Sequence, residues 1–156
     1  MKQRINIQEH GREAMSALVP LGKHLAKSPL KRSLLELVYF RVSQINGCAF
    51  CLDMHAKELR AMGDTEERLN VMAAWREAPF YSDRERAALA YAESLTELPG
   101  GGRLVPDEIF NELKKHFSET EIIDLTVAIF AINGYNRINI AFGAPVGTYE
   151  VGQFAN

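Results

Sequence analysis

Apolar residues recur along the chain three and four positions apart, and no run alternates apolar with polar β-branched residues at the period of two that a half-buried strand requires. The pattern predicts an all-α fold. Ser28 before Pro29 supplies a capping residue with proline at the first helical position, so "PLKRSLLELVYFRVSQI" should run as a helix to the break at Asn46-Gly47. A second helix, "CAFCLDMHAKELRAM", should begin at the cysteines and stop at Gly63, a natural left-handed cap. Asp64 with Glu67 predicts a capping box for "TEERLNVMAAWRE", closed by Trp75. Ser82 with Glu85 caps "DRERAALAYAESLTEL", which Pro99-Gly100-Gly101-Gly102 ends. Pro106 opens "DEIFNELKKHF", and Ser118 with Glu121 caps the last long helix. Before Ser28, Gly11, Pro20 and Gly22 interrupt a helical pattern and predict two short helices. The expectation is one helical domain over residues 1–156, with about six to eight helices.

The last segment, "EIIDLTVAIFAINGYNRINIAFG", is apolar on nearly every face between Ile122 and Ile132. A helix of that kind must be buried on all sides, either at the centre of the bundle or against another subunit. The pattern leaves both open.

Charge adds mainly exclusions. With 18 Lys+Arg against 20 Asp+Glu the net charge is -2, and no basic stripe marks a nucleic-acid partner. The amino terminus has no apolar secretory core, and no apolar stretch reaches the roughly 20 residues needed to span a bilayer. A cytoplasmic protein with no membrane partner is expected. Two cysteines are too few for a disulfide framework, and one close pair in a reducing compartment is more often catalytic or metal-binding than structural.

That pair lies in "NGCAFCLDMHAKEL". At the start of a helix, Cys48 and Cys51 would sit near unpaired backbone N–H groups and the positive end of the helix dipole, which favours thiolates. Their i, i+3 spacing places the side chains about 5 to 6 Å apart at Cβ, so a reversible disulfide is feasible. His55 falls one turn beyond Cys51 on the same face, where its imidazole can exchange a proton with that sulfur. Glu36 stands among apolar neighbours in "SLLELVYF", where a carboxylate is costly unless paired or functional; the alternative is a glutamate on the solvent edge of its helix.

Two other fates for the cysteines stay open. Cys48, Cys51 and His55 could supply three zinc ligands, although His10, His24 and His116 lack ligand-like spacing and fit surface positions. Inert buried thiols are the other. The glycines at 100 to 102 lack the context of a phosphate loop and fit a linker. Tyr39, Phe40 and Phe50 surround the motif, with core packing as their default role and an apolar substrate pocket as the alternative.

Glu36, then Ser43-Gln44-Ile45-Asn46-Gly47-Cys48-Ala49-Phe50-Cys51 and His55, together resemble the AhpD-like alkylhydroperoxidase group of the carboxymuconolactone decarboxylase superfamily. The resemblance is strongest from about Leu30 to Leu59, within a redox core of about residues 29–63. It implies an all-helical homo-oligomer, often a trimer or hexamer, with thiol peroxidase or disulfide reductase activity and no metal or cofactor. Carried onto this chain, it makes Cys51 the peroxidatic cysteine, Cys48 the resolving one, and Glu36 with His55 a proton relay. Phe50 stands where the best-described members carry a further histidine. The implied partners are a small hydroperoxide and a thiol reductant such as a thioredoxin-like or lipoyl protein. The alternatives are a disulfide oxidoreductase acting on a protein or lipoyl partner, and a metal-binding or structural oligomer.

Overall fold

The computed structural model describes residues 3–97 and 105–154, so the Pro99-Gly100-Gly101-Gly102 stretch lies outside it. Among the described residues there is no strand. The helices are α1 (Ile7–His10), α2 (Arg12–Ser16), α3 (Val19–Leu25), α4 (Arg32–Asn46), α5 (Ala49–Ala61), α6 (Glu66–Asn70), α7 (Asp83–Glu97), α8 (Asp107–His116) and α9 (Glu119–Phe142), with a 3-10 turn at Met72–Ala74.

The centre of the bundle is α4, which packs against α5, α7 and α9. Leu34, Leu35, Val38 and Val42 enter one apolar cluster with Ala88, Tyr91, Leu113, Leu125, Ala128 and Ile129. From other faces of the same helix, Leu37 and Phe40 enter a second cluster with Leu59, Met72, Trp75 and Leu89. Each fully buried Leu of this kind contributes roughly 1.5–3 kcal/mol relative to exposure, so α4 is anchored on several sides. A rigid central helix is what holds Glu36 in place.

Two capping boxes form as expected. Ser82 N donates to Glu85 Oε2 (2.7 Å) while Glu85 N donates to Ser82 Oγ (3.3 Å), and Ser118 with Glu121 does the same at the start of α9. Gly63 has φ +90°, and Gly63 N and Asp64 N close onto Arg60 O and Leu59 O at 3.0 Å each, ending α5.

Other boundaries differ from expectation. The central helix starts at Arg32 rather than Pro29, because Ser28 is used elsewhere: its hydroxyl donates to Asp124 Oδ2 on α9 (2.6 Å) and accepts from Leu30 N (3.3 Å). Thr65, not Asp64, caps α6 by accepting from Arg68 N, and Asp64 instead takes the Arg68 guanidinium at 2.6 Å. The helix expected over "TEERLNVMAAWRE" breaks after Asn70 into the 3-10 turn, where Trp75 donates its indole N–H to buried Glu93 (2.9 Å). Three short helices, not two, precede Ser28: Gly11 separates α1 from α2, whereas Pro20 sits in the first turn of α3, where its missing N–H costs nothing.

The last helix is not the bundle centre. Ile122, Leu125, Ala128, Ile129 and Ile132 face inward, but Ile123 is 63% exposed and Phe130 70% exposed in the single chain.

Candidate redox site

The site begins with a chain reversal. Gly47, at φ +68°, ends α4 in the left-handed conformation, and Gly47 N and Cys48 N donate back to Gln44 O (3.3 Å) and Ser43 O (3.1 Å). This closure carries Cys48 directly into the N-cap of α5 with extended backbone (φ -84°, ψ 96°). Its sulfur occupies the place a serine or asparagine oxygen usually takes and accepts from Cys51 N at 3.4 Å. Cys48 and Cys51 are paired as a disulfide with Cα atoms 5.3 Å apart. Both lie under the surface, at 1% and 0% exposure, beneath exposed Gly47 and Ala49.

One turn further along α5, His55 is buried, and its Nδ1 lies 2.7 Å from Glu36 Oε2 on α4. When Glu36 is ionised and the imidazole neutral, Nδ1–H is the donor and Nε2 keeps a lone pair that can accept a proton. Nε2 is buried and has no hydrogen-bond partner. A buried polar atom without a partner is uncommon in native interiors and marks positions with a chemical role. The structure therefore brings together Glu36, Cys48, Cys51 and His55, and Glu36 is inside the fold rather than on a solvent edge.

Around this core are Arg32, Glu58 and Tyr149, which the sequence did not single out, and the aromatics Tyr39, Phe40 and Phe50, which it did. Arg32 Nε faces Glu36 Oε1 at 3.7 Å, and its guanidinium also donates to Glu58 at 3.1 Å. Glu58 receives the Tyr149 hydroxyl and, at 2.8 Å, Gly152 N, which fastens the carboxyl-terminal segment across α5. Burial pushes the Glu58 carboxyl up, but those two hydrogen bonds and the charge of Arg32 outweigh it and hold it below the usual range. Tyr149, buried against that carboxylate, is pushed up to about 12. Tyr39 packs its ring 5.3 Å from that of His55; burial and the charge of Glu36 raise its hydroxyl well above the ordinary value, so it stays a neutral phenol. Phe40 belongs to the core, and Phe50 is half-buried beside the cysteines.

A ladder of amides joins α4 to α9 below the site. Asn46 Nδ2 donates to Asn133 Oδ1 and Asn136 Oδ1 (both 2.9 Å), Asn136 Nδ2 donates to Ser43 Oγ (3.1 Å), and Asn139 Nδ2 donates to Cys51 Sγ (3.4 Å). The one available signal was three asparagines, Asn133, Asn136 and Asn139, spaced every third residue on the last helix.

The remaining histidines lie away from the cysteines in other bonds: His24 on Asp124 at 2.7 Å and His116 on Glu112 at 3.2 Å, with His10 beside Glu9 at 3.8 Å. Among the described residues, no group of three or more His, Cys, Asp and Glu side chains is arranged to hold a metal ion. No helix among them is long and apolar enough to cross a membrane.

Comparison with known proteins places these features in a family. The carboxymuconolactone decarboxylase family model matches residues 12–94, more than half of the chain and the whole of α4 and α5. The uncharacterized protein YdfG of Bacillus subtilis is 42% identical over 143 residues, 92% of this chain and 96% of its own. The uncharacterized protein YnjA of Escherichia coli is 33% identical over 119 residues, 76% of this chain and 64% of its own. A solved structure from Agrobacterium tumefaciens, of unknown function and described as a candidate antioxidant defence protein AhpD, superposes with a TM-score of 0.88 at 41% identity, covering 95% of this chain and 100% of that one. The chain belongs to the AhpD-like group of the carboxymuconolactone decarboxylase family.

Proposed function

We propose that the protein is a thiol-dependent peroxidase that reduces small hydroperoxides through Cys51 and Cys48. The observation that carries this is His55: it stands one turn beyond Cys51 on α5, its Nδ1 is held by Glu36, and its Nε2 is buried without a partner. In the reduced protein, Nε2 takes the Cys51 thiol proton. The thiolate attacks one peroxide oxygen, the O–O bond breaks, and the departing alkoxide takes the proton back from the imidazolium and leaves as alcohol. Cys51 is then a sulfenic acid. Attack by the Cys48 thiol expels water and forms the Cys48–Cys51 disulfide, which two electrons from an external thiol, such as a thioredoxin-like or lipoyl protein, return to the dithiol. The burial of both sulfurs favours a small peroxide group over a bulky electrophile. The A. tumefaciens relative's description agrees with an antioxidant role.

The test is peroxide consumption coupled to a supplied dithiol reductant, run beside Cys51→Ser. Turnover that depends on peroxide and is abolished in the variant supports the reading. Reduction of disulfide substrates without peroxide turnover would assign a disulfide oxidoreductase instead.

We also infer assembly with further copies of the chain. Ile123 and Phe130, at i and i+7 on α9, are both exposed in the single chain, with Val127 partly buried between them against the core. A second copy presenting the same stripe would cover it.

A further inference from the structure

We propose that Asn139 is a further catalytic residue: its side-chain N–H is the donor that holds the Cys51 thiolate. The inference rests on the assignment of Cys51 as the attacking sulfur, and it adds a group from a helix outside residues 12–94, where the family model matches.

Asn139 lies in the last turn of α9, just before Gly143 ends that helix in the left-handed conformation. Asn139 O accepts from Gly143 N and from Ala144 N at 3.0 Å, which fixes the backbone that carries the amide. From there Nδ2 reaches Cys51 Sγ at 3.4 Å, across 88 residues of sequence. Sulfur in a disulfide is a weak acceptor, whereas a thiolate is a strong one, so the contact gains strength when the pair is reduced and Cys51 loses its proton. The donor end of the amide is the end that suits a sulfur due to carry negative charge.

The two sulfurs are thereby served differently. Cys48 Sγ accepts the backbone N–H of Cys51, a donor that any N-capping cysteine would have. Cys51 is one turn inside the helix, and its donor is a side chain brought by α9. A base and a separate donor converge on Cys51: His55 removes the proton and Asn139 stabilises the charge left behind. Neither the helix dipole nor the His55 relay accounts for that second group.

Stabilising the thiolate lowers the pH at which Cys51 ionises. Losing one hydrogen bond to a charged sulfur should raise that midpoint by about one pH unit. The experiment follows thiolate ultraviolet absorbance against pH in the Cys48→Ser protein, where Cys51 is the only thiol, and needs no reagent to enter the site. The double Cys48→Ser, Cys51→Ser protein supplies the baseline. Asn139→Ala and Asn139→Asp are each added to Cys48→Ser. Both should raise the midpoint, and Asn139→Asp at least as much, because it preserves size but replaces the donor with an acceptor carrying negative charge. A purely structural role predicts the opposite order, with the isosteric Asp near wild type and Ala displaced. That order, or unchanged midpoints in both variants, overturns the proposal. Peroxide turnover is not part of the readout: a wild-type enzyme that reduces peroxide with an Asn139-independent midpoint sinks this inference alone, whereas an Asn139-dependent midpoint without peroxide turnover sinks the peroxidase reading alone.

Discussion

Glu36 Oε2 and His55 Nδ1 meet at 2.7 Å in the interior, joining the central helix to the helix that carries the cysteines. A carboxylate on one ring nitrogen leaves the other as a base, so the pair should matter when Cys51 is a thiol and not when it is already ionised. His55→Ala should slow peroxide-driven sulfenic acid formation about 100-fold at neutral pH. Glu36→Gln keeps an acceptor but loses the charge and should be slowed less. Both defects should shrink as pH rises past the thiol's own ionisation. Stopped-flow rates from neutral to alkaline pH would decide; defects of constant size across that range would mean that the pair does not move the proton.

Gly47 holds φ +68° with nothing within 4 Å of where a Cβ would stand. Gly47→Ala therefore meets no neighbour and costs only the left-handed backbone, about 1 kcal/mol. Gly47→Asn should cost less, because asparagine tolerates that conformation better. Urea unfolding curves test the order; equal stability of all three proteins would show that the turn does not need glycine.

Asp124 accepts from the Ser28 hydroxyl at 2.6 Å and bonds His24 at 2.7 Å, tying α3 and the turn after it to α9. The Ser28 hydrogen bond, opposed by burial and aided by His24, holds its carboxyl below the usual range. A carboxyl lowered on folding adds stability that is fully present above its unfolded value and is lost as pH falls through the folded one. Asp124→Asn should be less stable than wild type by about 1 kcal/mol at neutral pH, with the gap closing below about pH 4. A gap that stays constant in acid would contradict this.

The exposed α9 stripe makes oligomerisation testable without reference to activity. Sedimentation at micromolar concentration should give a species larger than one 17.5 kDa chain, and Phe130→Asp should shift it toward the monomer. A monomeric wild type would refute the proposed assembly.

What the sequence disclosed was local. The cysteine spacing, His55 one turn on, the glycine reversal and two Ser/Glu capping boxes all depend on residues within a few positions of each other, where helical periodicity suffices. Features set by distant partners were not legible. Ser28 resembled an N-cap until Asp124, 96 residues on, claimed its hydroxyl. Glu36 was ambiguous until the fold set it beside His55, and Asn139 and Tyr149 reach α5 from 88 and 91 residues away. Apolarity alone also left the setting of α9 open, because a face packed on the core and an exposed apolar face such as that of Ile123 and Phe130 have the same composition.

Assigning attack to Cys51 and resolution to Cys48 makes the two sulfurs distinguishable by dimedone trapping after one equivalent of hydroperoxide. Reduced wild-type protein should lose two hydrogens in intact mass as the disulfide closes. Cys48→Ser should accumulate a dimedone adduct on Cys51, and Cys51→Ser should give little adduct. Adduct confined to Cys48, or equal trapping on either cysteine, would contradict the account.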